Sequence, residues 1–351
     1  MKQSTLAALA IGAVVAVGSI QLGAQKSFTP PKTTWGHPDL QGVWTSDEET
    51  GVPFERPEQF KNKAILEGKE LEEYLKRREL ERARNANFGG GITGAGPVHW
   101  YEWWGRKSAR TSLITDPADG RVPPLTPEAQ KLEDARAKEW EAKVGERGPA
   151  DSWEDRELWD RCIMRNLAGV MFPGGYGNNA QIVQTPTHVA ILNEMIHEVR
   201  VIPLDGRPHL SPSVQQWYGD SRARWEKNTL VVETTNFKDT TDPRMDIGVR
   251  NRGAWPESFR LIERFTRMGP DTIQYEITRD DPKTWTKPWT AMLEMKKTSA
   301  EYLFEYACHE GNIGMENILS GARAEEKANP ELLKRRAVRR APGEESDDPD
   351  R

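Results

Sequence analysis

The chain has 351 residues and a formal net charge of −5 at pH 7, long enough for one large domain with elaborations. Neither sign of charge dominates, which excludes the basic footprint of a nucleic-acid binder. Apolar residues are 36% of the chain, with 29 Gly and 24 Pro, so short strands joined by much loop and turn are expected.

Residues 1–24 read as a cleaved signal peptide. Met1-Lys2 is a short basic start, Leu6 to Leu22 is apolar, and small residues lead to a cleavage point after Ala24. The apolar stretch is short for a membrane anchor, so a periplasmic or secreted protein without stable membrane insertion is expected. Residues 25–179 read as an extended and helical region packing on a β-rich core formed by residues 180–323. "DLQGVW" opens a strand at Trp44. A charged helix is expected over Arg56–Ala86, where Leu66, Leu71, Leu75 and Leu80 recur at helical spacing. "FGGGITGAGP" breaks it, and with no Lys-Ser/Thr after the glycines it is not a phosphate cradle. A short strand over Ser112–Thr115 and an Asp-Gly turn come next. A second helix opens at Thr126-Pro127-Glu128, with Pro at its first position, and runs to about Val144. A third short helix is expected over residues 151–168.

From Ala180 the apolar period changes from 3.6 to 2. Nine segments alternate, from "AQIVQT" through "HEVRVIPL", "TLVVETTNF", "FRLIERFTRM" and "TIQYEITRDD" to "YLFEYACHE", with connections short enough for hairpins. Such a meander hides its edges most simply by closing into a barrel, with the Trp44 strand as its first stave. The expected fold class is therefore mainly β: an antiparallel meander over 180–323, closed into a barrel, with N-terminal helical decorations. Residues 324–351 read as a charged, disordered tail. Cys162 and Cys308 are the two cysteines. After export they form either one disulfide closing a long loop or two buried free thiols.

"DLQGVW", "DPADGRVPPLTP", "IPLDGRPH", "GDSRARWEKNTLVVETTNF" and "YACHEGN" resemble a large family of exported bacterial proteins. The resemblance runs from about Trp35 to Arg323 and brings no activity with it. Gly42-Val43-Trp44 ahead of a meander also resembles the start of lipocalin-like barrels. The polar loop over residues 239–255 is long for that pattern and leaves ligand specificity open.

Alternation decides which polar groups face inward. Arg200 shares a face with Ile202, while Val199 and Val201 share one with His197. Glu263 falls on the face of Phe259, Leu261 and Phe265. Rows of Arg222, Arg224, Arg260 and Arg264 against Glu233, Glu263 and Glu276 also fit outward ladders between strands. His197, His209, His309 and Glu310 are the acid–base candidates, since a His beside a carboxylate can move a proton near neutral pH. Asn178 and Arg200, with Tyr275, Tyr306 and Trp225, are the expected ligand contacts. His197 and Arg200 lie on opposite faces of an ideal strand, so both point inward only across a bulge or turn. No H-x-x-x-H or H-x-H spacing is present, and no metal site or cofactor is expected. No G-x-S-x-G hydrolase elbow is present either.

Three functions fit these residues. One is an exported barrel binding a small apolar or aromatic molecule in a Trp/Tyr-lined cavity. The alternative is a cofactor-independent lyase, isomerase or hydrolase using the His/Glu set in the same cavity. A third is a surface module whose Trp residues meet a polysaccharide or another protein.

Overall fold

The computed structural model describes residues 28–87, 108–144, 150–156, 158–164, 172–174, 176–238, 255 and 257–330. The expected signal peptide, the tail beyond 330 and most of the 239–255 loop lie outside them. No helix among the described residues is long and apolar enough to cross a membrane.

The period-2 alternation produces a nearly closed antiparallel barrel of nine strands. In chain order these are β1 (Gly42–Thr45), then, after the short β2 (Ile114–Asp116), β3 (Asn179–Gln184), β4 (His188–Asn193), β5 (Val199–Pro203), β6 (Asp220–Glu226), β7 (Thr229–Thr235), β8 (Arg260–Gly269), β9 (Thr272–Asp280) and β10 (Trp289–Lys297). Around the barrel the order is β5-β4-β3-β1-β10-β9-β8-β7-β6. The Trp44 strand joins the barrel as expected, and the structure puts it between β3 and β10, with Trp44 opposite Ala180 and Lys297. The short β2 pairs with the other end of β10, through Ala291 opposite Ile114. β5 and β6 come together without a shared backbone ladder, which leaves one seam.

Inward positions follow the alternation. Leu261, Glu263, Phe265 and Arg267 of β8, Ile273, Tyr275 and Ile277 of β9, and Trp289, Ala291, Leu293 and Met295 of β10 are all buried. With Trp44, Ile182, Ile191, Ile202, Leu230 and Val232, the apolar members of these rows form a single core. Residues 38–40 are strapped to the strand ends. Gln184 accepts from the Leu40 amide at 2.6 Å and donates to the Pro38 carbonyl at 3.1 Å. Arg267 donates to the Asp39 carbonyl at 2.7 Å, and the Trp44 indole to Leu40 at 2.9 Å. At the turn into β6, Gly219 has φ +67°, and a Cβ there would meet the Thr235 carbonyl at 2.6 Å, so only glycine fits.

Among the described residues three α-helices lie outside the barrel: α1 (Gly68–Asn87), α2 (Pro127–Val144) and α3 (Ile313–Ala328). α2 begins as expected, with the Thr126 hydroxyl accepting from the Ala129 amide at 3.1 Å. α1 starts later than expected, because Pro53 and Pro57 hold the preceding chain extended and a 3-10 turn occupies Glu58–Phe60.

Three expectations are corrected. "YLFEYACHE" is not a strand: β10 is already paired on both sides, by β9 on one and by β1 and β2 on the other. Tyr302 and Phe304 stay exposed instead. The third helix is, within its described residues, a 3-10 turn over Trp153–Asp155 capped by Ser152, followed by turns in which Cys162 has φ +56°. α3 runs across the boundary expected at residue 323, starting where the Asn312 side chain accepts from the Met315 amide at 3.3 Å. Cys162 and Cys308 form a disulfide, the first of the two readings of the cysteines. The bridge joins the turns after residue 155 to the segment before α3.

Candidate functional site

Inside the barrel, β5 delivers Arg200 to Glu263 of β8. Nη1 and Nη2 of Arg200 donate to the two carboxylate oxygens at 2.6 and 2.9 Å, a two-pronged pair. The Tyr275 hydroxyl of β9 donates to the same carboxylate at 2.5 Å. The Arg200 and Glu263 side chains are 3% and 0% exposed. Burial works against the Arg200 charge, but the adjoining Glu263 more than offsets it and holds the guanidinium above its ordinary pKa. Ala223 and Val232 continue the Glu263 row toward the seam, small enough for Arg200 to reach across. Of the Arg and Glu positions open to an outward reading, Glu263 turns in. Arg224 and Arg264 pair with Glu226 on the outer face, and Arg260 pairs with Asp280.

The expected site residues divide. Arg200 and Tyr275 meet, through Glu263. His197 ends the 3-10 turn Met195–His197 before β5, and its side chain lies outside the described residues. His209 stands on the outer face: Nδ1 is 2.9 Å from an Asp220 oxygen and Nε2 is 3.8 Å from Glu233. Asp220 also accepts from Arg222 at 2.6 Å and from the Leu210 amide at 3.0 Å, so it ties the 204–219 connection to β6. His309 and Glu310 are exposed in the turn between Cys308 and α3. Among the described residues no hydrogen bond or ion pair joins His209, His309, Glu310 or Arg200 to one another. Asn178 serves its own turn, accepting from the Gly174 amide at 2.7 Å and donating to Asp47 at 2.8 Å. Tyr306 lies on the non-strand segment, and Trp225 packs at the end of β6 against the His37 ring, 5.4 Å away.

A cavity of about 520 Å³ lies elsewhere, against the outer face of β10. Its floor is Met292 and Ile114, and its wall comes from Ala64, Ile65, Ala109 and Ala118. Three stretches meet there: the 3-10 turn Asp47–Glu49 after β1, the chain before α1, and residues 108–115 leading into β2, linked by a bridge between Ile65 and Arg110. Arg56 is fixed by the Thr111 hydroxyl at 3.0 Å and the Ala118 carbonyl at 2.8 Å. Arg110 donates to the Ser112 and Leu113 carbonyls at 3.3 and 3.2 Å and to the Met292 sulfur at 2.9 Å. Burial pushes the Arg110 pKa down, opposed by Glu49 and Glu294. Glu49 is 3% exposed; one carboxylate oxygen accepts from the Glu294 amide at 3.2 Å, with Arg110 at 3.8 Å. The other oxygen is buried and has no hydrogen-bond partner.

None of these cavity residues was singled out from the sequence. "TSDEET" and "SARTS" lie outside the long alternating runs, and their meeting depends on three separate segments. Glu263 did carry a signal, the apolar face of β8 on which it falls. Among the described residues no group of three or more His, Cys, Asp or Glu side chains is placed to hold a metal ion. Comparison of the chain with family models, curated proteins and solved structures finds no match.

Proposed function

We propose that the protein is an exported small-molecule-binding barrel and belongs with the family its motifs resemble. In this reading the ligand occupies the cavity on the outer face of β10, while the barrel interior is the scaffold. The observation that carries it is the cavity itself: about 520 Å³, within the range of small-molecule sites, with an apolar floor and a few fixed charged groups. The disulfide supports passage through an oxidising compartment. Among the described residues the cavity wall carries no Trp or Tyr.

The test is a thermal-shift screen with amines, acids, alcohols and aromatics on the wild type and on two cavity-filling variants, Ala109→Trp and Thr115→Trp. Ligands that stabilise the wild type but neither variant support the reading. Full retention of binding in both well-folded variants removes the cavity from consideration.

One observation favours the alternative, an acid–base enzyme: the His209–Asp220 pair has the arrangement of a base and its orienting carboxylate. Under that reading His209→Ala abolishes turnover of a substrate whose binding it leaves intact. Under the binding reading it changes stability alone.

A further inference from the structure

We infer that the cavity on β10 selects a small molecule carrying a protonated amine on an apolar body, with Glu49 as the group that receives the amine. This rests on the proposed use of that cavity. The reason lies in which charged groups there are already committed. Arg56 is held by the Thr111 hydroxyl, the Ala118 carbonyl and, at 3.5 Å, the Ser112 hydroxyl, and Arg110 is turned toward two carbonyls and the Met292 sulfur. Neither offers an anion the open fork that carboxylates and phosphates seek. Glu49 is the reverse case. Its backbone is fixed by the turn after β1, one oxygen is held by the Glu294 amide, and the other oxygen of this cavity-lining residue is shut off from solvent without a hydrogen-bond partner. A buried carboxylate oxygen lacking a donor is costly, and the donor that best satisfies it is charged.

The surrounding charges agree. Glu48 and Glu294 also line the cavity, so three carboxylates stand there against the two guanidiniums of Arg56 and Arg110, with Glu294 paired to Lys296 at 2.8 Å. Arg110 stands 3.8 Å from the oxygen of Glu49 that the Glu294 amide already occupies, beyond hydrogen-bond length. Met292, Ile114 and Ile65 supply the surface for the apolar body.

The experiment compares 3-phenylpropylamine, 3-phenylpropanol and 3-phenylpropanoate by calorimetric titration, on the wild type, Glu49→Gln and Ala109→Trp. The amine should bind about tenfold or more tightly than the alcohol, as a charge-assisted hydrogen bond in place of a neutral one implies, and the acid should not bind. Glu49→Gln keeps an oxygen for the Glu294 amide and should remove the preference for the amine while leaving the alcohol unchanged. Ala109→Trp should remove both. Equal binding of amine and alcohol by the wild type, binding of the acid, no binding of the amine, or a preference that survives Glu49→Gln each overturns the inference. If Glu49→Gln does not fold, the wild-type ratio decides alone. The cavity reading fails separately, only if screened ligands of every chemistry still bind both Trp variants.

Discussion

Glu263 is a charged residue at the centre of an apolar barrel, and its environment states the terms on which that is tolerated. It accepts from both prongs of Arg200 and from Tyr275, so its charge is met by one cation and one further donor. Removing a single partner strands a buried charge. Arg200→Met should therefore cost about 3–5 kcal/mol, read from urea unfolding, whereas Arg200→Met/Glu263→Leu together should recover most of the loss. A double variant as unstable as the single one would show that the pair is not the cause. Glu226 is the contrasting case on the outer face. Hydrogen bonds from Arg264 and then Arg224 hold its carboxyl below the usual range. A folded value below the unfolded one means that any stabilisation is present above the unfolded pKa and is lost as pH falls through the folded one. The group is exposed, so the effect on stability is small. A carboxyl NMR titration should place Glu226 below an ordinary glutamate, and Arg264→Gln should move it back up.

At the level of elements, the barrel is closed unevenly. Eight interfaces between neighbouring strands are hydrogen-bonded ladders, but β5 and β6 meet without one, and the seam is crossed by the Arg200–Glu263 pair from β5 to β8. Opening should begin there. Amide exchange of β5 and β6 should be faster than that of β8 and β9, which are paired on both sides; uniform protection through all nine strands would contradict this. The disulfide acts on a different part of the chain. It links positions 146 residues apart, and in the chain-entropy model a loop of that size is worth about 4–5 kcal/mol. Cys162→Ala/Cys308→Ala, or reduction, should lower the urea midpoint accordingly, and the denatured, unreduced protein should show no titratable thiol.

On the scale of the whole molecule, the sheet's two faces do different work. The inner face is a packed core of large side chains, and the outer face of β10 is the floor of a cavity that the N-terminal segments complete. Ligand binding by such a cavity couples to the packing of residues 46–65 and 108–118, so a bound amine should slow amide exchange there more than in β3 and β4. The export reading makes an independent demand: the mature protein should begin after Ala24, as intact mass would show. A mature chain retaining residues 1–24 would remove export by a cleaved leader.

The amino-acid sequence by itself determined the strands, because a period-2 alternation over "FRLIERFTRM" or "TIQYEITR" fixes which side chain faces which way before any partner is known. It equally determined the start of α2, which depends on neighbours a few residues away, whereas Asn178, expected at a ligand, bonds Gly174 and the distant Asp47. The alternation already put Glu263 with Leu261 and Phe265. Its partner Tyr275 lies on the next strand of the same hairpin, but that the other partner is Arg200, 63 residues away, was decided only when β5 was curved round to face β8. "YLFEYACHE" alternates as well as any true strand, yet a meander continues only on the free edge of the strand before it, and on β10 that edge is taken by β1 and β2. The cavity is the extreme case. Glu49, Arg110 and Met292 have no common sequence signal, since each is placed by a different segment, and a surface made by three segments exists only where the tertiary structure brings them together.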